Sequence, residues 1–178
     1  MTELSAVYPT LEMAAIYQQF LQEYLEDDQE YYSLLRDLYE EVDGDVDLLI
    51  GIVSGRAKGQ YLPQGWCSVT TLWLKVKDKI VGEAVIRHEL NNDILRNFAG
   101  HVTYYILPSC RGKRYGGYLL QSVIKEAKRI GIPELVFCCD EANMASRKLL
   151  ESLGAKPADV IDNRDDWGEM TCRYFVTV

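Results

Sequence analysis

The sequence predicts a single α/β domain that covers residues 1–178. The first observation behind this fold class is a β-rich apolar run, Val102–Leu107, that ends at a proline. The second is a segment with apolar residues at helical spacing from Leu119 to Ile130. The third is a short apolar run, L-V-F-C-C, inside Glu134–Asp140, which is typical of a buried strand. A strand–helix–strand crossover of this length favours parallel pairing of its two strands.

The N-terminal half reads as a strand, two helices and a hairpin. Thr10 is a candidate N-cap for the first helix. Between the second helix and the hairpin, four glycines and Pro63 indicate a loop around one short helix. The predicted elements are a strand at 3–8, a helix at 10–25, a helix at about 30–42, this loop at 45–65, and strands at 68–75 and 79–88.

The C-terminal half continues with a connection at 89–99 and the strand that begins at Gly100. In that strand, alternation predicts His101, Thr103 and Tyr105 on one face and Val102, Tyr104 and Ile106 on the other. Gly131 and Pro133 end the following helix. After the 134–140 strand we expect a helix before Gly154, a polar loop at 159–166 and a final strand at 173–178. The count is about six or seven strands.

Composition limits the partners and the compartment. The formal net charge of −8 argues against nucleic acid as a general partner. No apolar run approaches the roughly 20 residues of a membrane span, and the N-terminus lacks the basic region of a signal peptide, so we expect no membrane association. Five cysteines without C-x-x-C spacing fit reduced thiols and a cytoplasmic location. Two histidines without metal-ligand spacing predict no metal site.

The loop between the 102–107 strand and its helix carries the strongest functional signal. It holds three cations in four positions of an acidic chain, and two glycines follow where the helix opens. A helix N-terminus offers unpaired N–H groups and partial positive charge, and glycines let a ligand approach the backbone. The pattern predicts a phosphate bound along Arg111, Gly112, Lys113, Arg114, Tyr115, Gly116 and Gly117. A solvated basic loop without a ligand is the alternative.

Three blocks of the chain resemble the GNAT superfamily of N-acetyltransferases. The run I-L-P-S-C-R-G-K-R-Y-G-G-Y-L-L from Ile106 resembles its acyl-CoA signature of Arg or Gln, two residues, Gly, one residue, and Gly or Ala. The run D-E-A-N-M-A-S-R-K-L-L-E-S-L-G from Asp140 looks like its fourth-helix motif. Upstream, V-G-E-A-V-I-R-H-E-L-N from Val81, with G-H-V from Gly100, resembles one bacterial subgroup of predicted acetyltransferases.

The resemblance implies a mixed, strongly twisted sheet whose fourth and fifth strands splay apart and admit acetyl-CoA as the acyl donor. It implies direct transfer of the acetyl group to a primary amine in a ternary complex. Besides the loop 111–117, it implies cofactor-binding roles for Tyr105, Ile106, Asn143 and Ser146. It also implies a strand bulge near the acetyl group, where backbone N–H groups stabilise the oxyanion. Asn143 alternatively serves only as a helix N-cap.

Two positions depart from the family pattern. Arg114 stands where relatives have the first glycine of the signature. Its N–H can still point at a phosphate if its φ angle stays negative, and its side chain can add a salt link to the ligand. Leu150 stands where many relatives carry a catalytic tyrosine, so the usual acid that protonates the leaving thiolate is absent.

Several residues are candidates for proton transfer. His101 leads as the general base, because it lies near the position that the resemblance assigns to a base and its ordinary pKa suits the task. Glu83, His88 and Glu89 are further candidates, and a histidine that only fixes strand packing is the alternative. Tyr104 is the candidate acid, with Tyr105 beside it, although tyrosines in strands commonly serve packing.

Residues 23–47 contain eleven acidic residues and one basic residue, Arg36. A solvated helical surface explains such a run, and so does a negative rim that attracts a cationic acceptor. The acceptor stays open among polyamines, aminoglycosides, amino acids and protein amines, as does the choice between a monomer and a homodimer. A catalytically weak acyl-CoA sensor is the alternative to an enzyme. The G-K-[ST] and G-x-G-x-x-G motifs of other nucleotide-binding loops are missing.

Overall fold

Two antiparallel sheets form the frame of the protein, seen in a computed structural model that describes residues 3–27 and 33–178. The four-stranded sheet has the order β1-β2-β3-β4, and the three-stranded sheet has the order β5-β7-β6. The strands are β1 (Leu4–Val7), β2 (Val69–Val76), β3 (Lys79–Arg87), β4 (Val102–Ile106), β5 (Glu134–Asp140), β6 (Lys156–Asn163) and β7 (Glu169–Thr177). The α/β fold class is confirmed, and the seven observed strands agree with the predicted number of six or seven.

Helices cover both faces of the four-stranded sheet. They are α1 (Ala14–Glu26), α2 (Ser33–Glu41), α3 (Val46–Arg56), α4 (Tyr115–Ile130), α5 (Met144–Ser152) and α6 (Arg164–Trp167). On one face, Tyr17 of α1 stacks on Trp73 of β2 with ring centroids 4.0 Å apart. On the other face, α4 buries Leu119, Leu120, Val123 and Ala127. No helix in the described ranges is long and apolar enough to cross a bilayer.

The two sheets meet at the start of β4 and the middle of β5. A single bridge joins Gly100 to Phe137, and His101 N donates to Val136 O at 2.7 Å. A Cβ at Gly100 would lie 2.5 Å from Val136 O, so only glycine permits this approach. Every strand ladder is antiparallel, and the predicted parallel pairing of β4 with β5 is wrong. The predicted separation of the fourth and fifth strands is therefore present as a gap between sheets rather than within one mixed sheet.

Two segments predicted mainly as loops contain regular elements, and the one short helix predicted within 45–65 is observed as α3. Asp45 caps α3 by accepting a hydrogen bond from Leu48 N at 3.0 Å. Val46, Leu49, Ile50 and Val53 are buried on one side of that helix. The segment predicted as a polar loop at 159–166 contains most of β6 and most of α6. Because β6 is an edge strand with mainly exposed residues, it lacks the apolar alternation that would identify it.

The entry to α1 also differs from the prediction. Thr10 makes no side-chain cap, because a 3₁₀ turn at Leu11–Met13 precedes the α-helix. The helix predicted at about 30–42 is observed as α2, and its predicted residues 30–32 lie outside the described residues.

Candidate functional site

Strand β4 separates two chemically different faces. Its pairing with β3 runs from Val102–Ile86 to Ile106–Gly82 without a register shift, so the expected bulge is not found in this pairing. Tyr105 points towards α1, where its hydroxyl donates to Asp27 Oδ2 at 2.7 Å. Tyr104 points to the opposite face, where its oxygen lies 2.8 Å from Ser146 Oγ of α5. The predicted alternation is confirmed at these positions.

The backbone of β4 also has two edges. Arg87 N donates to His101 O at 2.8 Å, and Leu107 N donates to Val81 O at 3.0 Å. In an antiparallel ladder, Thr103, Tyr105 and Leu107 therefore direct their N–H groups to β3, and Val102, Tyr104 and Ile106 direct theirs away. Ile106 N–H accordingly faces the gap towards β5, and no acceptor for it exists among the described residues. The gap contains a backbone hydrogen-bond donor.

Two of the three loop cations are held by the protein itself. Arg111 Nη2 donates to Asp27 Oδ2 at 2.8 Å, Nε donates to Ile106 O at 3.1 Å, and the guanidinium lies 5.4 Å from the centroid of the Tyr105 ring. Lys113 Nζ donates to Ser109 O at 2.9 Å. Their side chains fix the loop between β4 and α4. The backbone N–H of Arg111 donates to Pro108 O at 3.3 Å, so Gly112 and Lys113 carry the loop amides that are left for a ligand.

Arg114 is the N-cap residue of α4 and adopts the left-handed conformation, with φ of 64°. The condition of a negative φ, under which the Arg114 N–H could point at a phosphate, is therefore not met. The left-handed conformation costs a non-glycine residue roughly 1–2 kcal/mol. The arginine side chain is exposed and has no hydrogen-bond partner in the described part of the chain. The N–H groups of Tyr115, Gly116 and Gly117 in the first turn of α4 have no intrahelical acceptors.

Helix α5 lies beside the first turn of α4. Asn143 Oδ1 accepts a hydrogen bond from Ser146 N at 3.0 Å, which is an N-cap. A Cβ built on Gly116 would lie 2.9 Å from Leu149 Cδ2 of α5. The missing side chain at Gly116 thus lets the two helices approach each other on the face that carries Tyr104 and Ser146.

Replacing Asn143 with alanine is expected to lower the free energy of unfolding by about 1 kcal/mol, because the Ser146 N–H loses its cap. Chemical denaturation measures the change, and Asn143→Asp, which keeps an acceptor, serves as the control. If the alanine variant instead keeps full stability but loses acetyl-CoA affinity, the side chain serves the ligand rather than the helix.

His101 links the two sheets through its side chain. Val136 N donates to His101 Nδ1 at 3.0 Å, so the imidazole is neutral and carries its proton on Nε2. Burial and the nearby Arg87 guanidinium lower the pKa of His101 to about 4. The lone pair that a general base needs is occupied by a backbone amide, and this arrangement disfavours His101 as the base.

His101 should make stability depend on pH. Its pKa is about 4 in the folded protein and about 6.5 when unfolded, so the unfolded chain binds the extra proton between these values. The free energy of unfolding should fall by about 3 kcal/mol as the pH drops from 7 to 4. In His101→Gln, whose oxygen can still accept from Val136 N, this contribution should vanish. Denaturation at both pH values tests it, and an unchanged pH dependence in the glutamine variant contradicts it.

Glu83 lies on the α1 face and is 8% exposed. Its Oε2 accepts from Tyr17 Oη at 3.0 Å and from Trp73 Nε1 at 2.7 Å. Burial raises the pKa of this carboxyl, and the two hydrogen bonds oppose the rise. Oε1 has no hydrogen-bond partner among the described residues. Every fully buried polar side-chain atom of those residues has a partner, so Oε1 is not fully buried and borders accessible space. One carboxylate oxygen is fixed and the other is available.

The other predicted bases lie elsewhere. His88 Nε2 is 2.8 Å from Thr70 Oγ1, beyond the end of β3, and burial lowers its pKa. Glu89 is exposed. In the described ranges, no group of three His, Cys, Asp or Glu side chains is arranged to hold a metal ion.

Two residues at the site were not singled out from the sequence. Asp27 binds both Tyr105 and Arg111, yet it lies in a long acidic run where no single residue stands out. Arg87 is buried at the end of β3. A lone arginine after the apolar residues A-V-I of a predicted strand was the available signal.

Comparison with known proteins gives one family and many similar folds. Residues 3–155 match the acetyltransferase (GNAT) family. No curated protein sequence matches the chain. Among solved structures, yncA of Salmonella typhimurium, determined with its cofactor acetyl-CoA, is 19% identical with a TM-score of 0.65 over 98% of this chain and 93% of that chain.

The microcin C7 self immunity acetyltransferase MccE, in complex with acetyl-CoA and AMP, is 15% identical, with a TM-score of 0.65 over 99% of this chain and 93% of that chain. An N-acetyltransferase from Staphylococcus aureus is 18% identical, with a TM-score of 0.63 over 98% of both chains. At these identities the structural likeness establishes a shared fold.

Proposed function

The chain belongs to the acetyltransferase (GNAT) family, and from this membership we propose that it transfers the acetyl group of acetyl-CoA to a primary amine by direct attack in a ternary complex. The observation that carries the proposal is the Ile106 N–H group, which faces the gap between β4 and β5. The first turn of α4 and helix α5 lie together on one side of the same gap. A thioester carbonyl beside Ile106 would have a hydrogen-bond donor at the atom where negative charge develops.

Acetyl-CoA is proposed to bind with its pyrophosphate on the backbone amides of residues 111–117. The unpaired N–H groups at the start of α4 favour an anion there, and Arg114 adds an exposed cation. Arg111 and Lys113 support this indirectly, since they hold the loop in place. The pantetheine arm is proposed to lie against β4 at Tyr105 and Ile106, with Asn143 and Ser146 of α5 on its other side.

The amine must lose a proton before it attacks. A lysine-like amine has a pKa near 10.4, so only about one molecule in 2,500 is neutral at pH 7. We assign the base to Glu83, because its Oε1 borders accessible space and burial raises its pKa. The carboxylate takes the proton directly or through one water, and the amine nitrogen bonds to the carbonyl carbon. His101 is assigned a positioning role between the sheets, because its lone pair accepts from Val136 N.

Collapse of the intermediate breaks the carbon–sulfur bond, and the leaving thiolate needs a proton. We assign this proton to Tyr104, whose hydroxyl lies against Ser146 of α5. Ser146 precedes Leu150 by one helical turn, and both side chains are buried. A hydroxyl from β4 therefore lies one turn away from the position where relatives supply a tyrosine. Burial raises the pKa of Tyr104, which keeps it protonated at neutral pH.

The acidic run 23–47 is proposed to attract the ammonium form of the acceptor. Part of the run has structural contacts: Glu23 accepts from Ser109 N at 2.9 Å and from Lys79 Nζ at 3.3 Å. Glu40 and Glu41 of α2 are exposed and available for this electrostatic role.

The test is release of free CoA thiol when acetyl-CoA meets a panel of amines, with the acetylated product identified by mass. Direct attack predicts intersecting double-reciprocal plots and no acetylated enzyme. Tight acetyl-CoA binding without thiol release from any amine would instead support the sensor alternative.

Gly116→Val is expected to weaken acetyl-CoA binding at least about tenfold, or 1.4 kcal/mol. The valine side chain would collide with Leu149 and push α5 away from α4. Gly117→Ala is the matched control, because its Cβ would meet Leu149 at an ordinary 3.8 Å. Calorimetry on folded variants measures the dissociation constants. Equal affinity of the valine variant and the wild type would contradict a binding site at this helix pair.

A further inference from the structure

Arg87 is a buried cation without a counter-ion. It is the last residue of β3 and 9% exposed. Its Nη1 donates to Thr103 Oγ1 at 3.1 Å and to Gly100 O at 3.4 Å. Across the described chain, no carboxylate forms an ion pair with it. A guanidinium stays protonated in proteins, so the structure holds an uncompensated positive charge here.

The rest of this guanidinium faces accessible space. Nε and Nη2 have no acceptor among the described residues. Since none of the described, fully buried polar side-chain atoms lacks a partner, these two nitrogens border an opening. Two adjacent N–H donors on one edge of a guanidinium match the two oxygens of a carboxylate.

The opening lies on the acceptor side of the proposed site. Residues 83, 85 and 87 of β3 alternate onto one face, so Arg87 shares the α1 face with Glu83. The first turn of α4 and helix α5, which are assigned to the donor, lie on the opposite face with Tyr104. The bonds to Gly100 O and to Thr103 Oγ1 put the guanidinium at the start of β4, beside the bridge from which β4 and β5 diverge.

We propose, on the premise of the transferase function above, that the acceptor is a small amino carboxylate such as a free amino acid, and that Arg87 binds its carboxylate. Glu83 and the acidic run then receive the amino end of the same molecule. The two charged groups lie four residues apart on one strand, about 13 Å between Cα atoms, with side chains that can reach towards each other. A simple polyamine would leave Arg87 unpaired and would meet a positive charge beside the amine.

Matched acceptor pairs test this directly. Each amino acid is compared with its carboxamide and with the amine that lacks the carboxyl group, and kcat/KM is measured by thiol release. The wild type should prefer the acid at least tenfold. Arg87→Gln should remove this preference while activity on the carboxamide and the acetyl-CoA dissociation constant stay the same. Lys125→Gln, which removes an exposed charge from α4, should keep the preference.

Equal rates on acid and carboxamide in the wild type would overturn the proposal. So would an Arg87→Gln variant that loses both activities in equal proportion, since that is the result of a purely structural role. If Arg87→Gln does not fold, the wild-type ratio alone decides. If no amine releases thiol, the transferase function fails separately. In that case calorimetry measures binding of the amino acid panel to the acetyl-CoA-loaded protein. Binding that requires both the carboxylate and Arg87 would support the proposal, and an absence of binding would overturn it.

Discussion

Glu83→Gln should lower kcat by roughly 10²–10⁴, which is the usual contribution of a general base. The amide oxygen of glutamine can still accept from Trp73 Nε1 and Tyr17 Oη, so the hydrogen bonds that hold the wild-type carboxylate are preserved. The amide group at the accessible position cannot take a proton. The decrease in kcat would therefore result from lost proton transfer and not from misfolding, and the acetyl-CoA affinity should be unchanged.

The pH dependence of the rate is a second test of Glu83 as the general base. The base is active when deprotonated, so the rate rises with pH through the pKa of Glu83. Burial raises that pKa, which moves the rise above the pH range of an ordinary glutamate. The rise should disappear in Glu83→Gln. It should persist in His101→Gln, because the imidazole that this variant lacks has a pKa of about 4 in the wild type.

Glu126→Gln is the matched control for this experiment. Glu126 is another buried glutamate, 7% exposed, and it accepts from Tyr8 Oη and from Arg129 on the far side of α4. Its replacement should cost stability and leave kcat unchanged. If Glu83→Gln keeps the wild-type kcat and pH profile, Glu83 is not the base, and proton transfer must be assigned to solvent or to another group.

Local sequence signals predicted the parts of the site that are close in the chain. The loop 111–117 and α4 follow from three cations, two glycines and helical spacing, all within 20 residues. The left-handed φ of Arg114 was not predictable from this pattern, because non-glycine residues in this conformation are uncommon. The sequence predicted one short helix within the loop at 45–65 without giving its bounds, because Gly51 and Gly55 have low helix propensity. Burial of Leu49, Ile50 and Val53 outweighs that propensity in the observed helix α3.

The remaining features depend on contacts between distant segments. Asp27 meets Arg111 across 84 residues, and His101 meets Val136 across 35. The two sheets are joined by one bridge at Gly100, and no periodicity in the sequence signals this bridge. For the same reason the sequence favoured His101 as the base: its residue type suggested the chemistry, and the backbone amide that occupies its lone pair comes from another strand.

Ile106→Pro should lower kcat by about 10²–10³ relative to Ile106→Ala, because only proline removes the backbone N–H that faces the gap. The ladder with β3 should survive, since this N–H does not pair with β3 and proline is tolerated on an edge strand. Tyr105, the preceding residue, is already extended, as a residue before proline prefers. The alanine variant controls for loss of the isoleucine side chain.

A donor that acts on the oxyanion stabilises the transition state more than the bound thioester. The proline variant should therefore lose kcat while its acetyl-CoA dissociation constant changes much less. Steady-state kinetics and calorimetry on the folded variants separate these two effects. If the proline and alanine variants turn over at the same rate, Ile106 N–H does not stabilise the intermediate. If affinity falls in proportion to kcat, this N–H binds the thioester in the ground state, and the oxyanion must be stabilised from elsewhere in the gap.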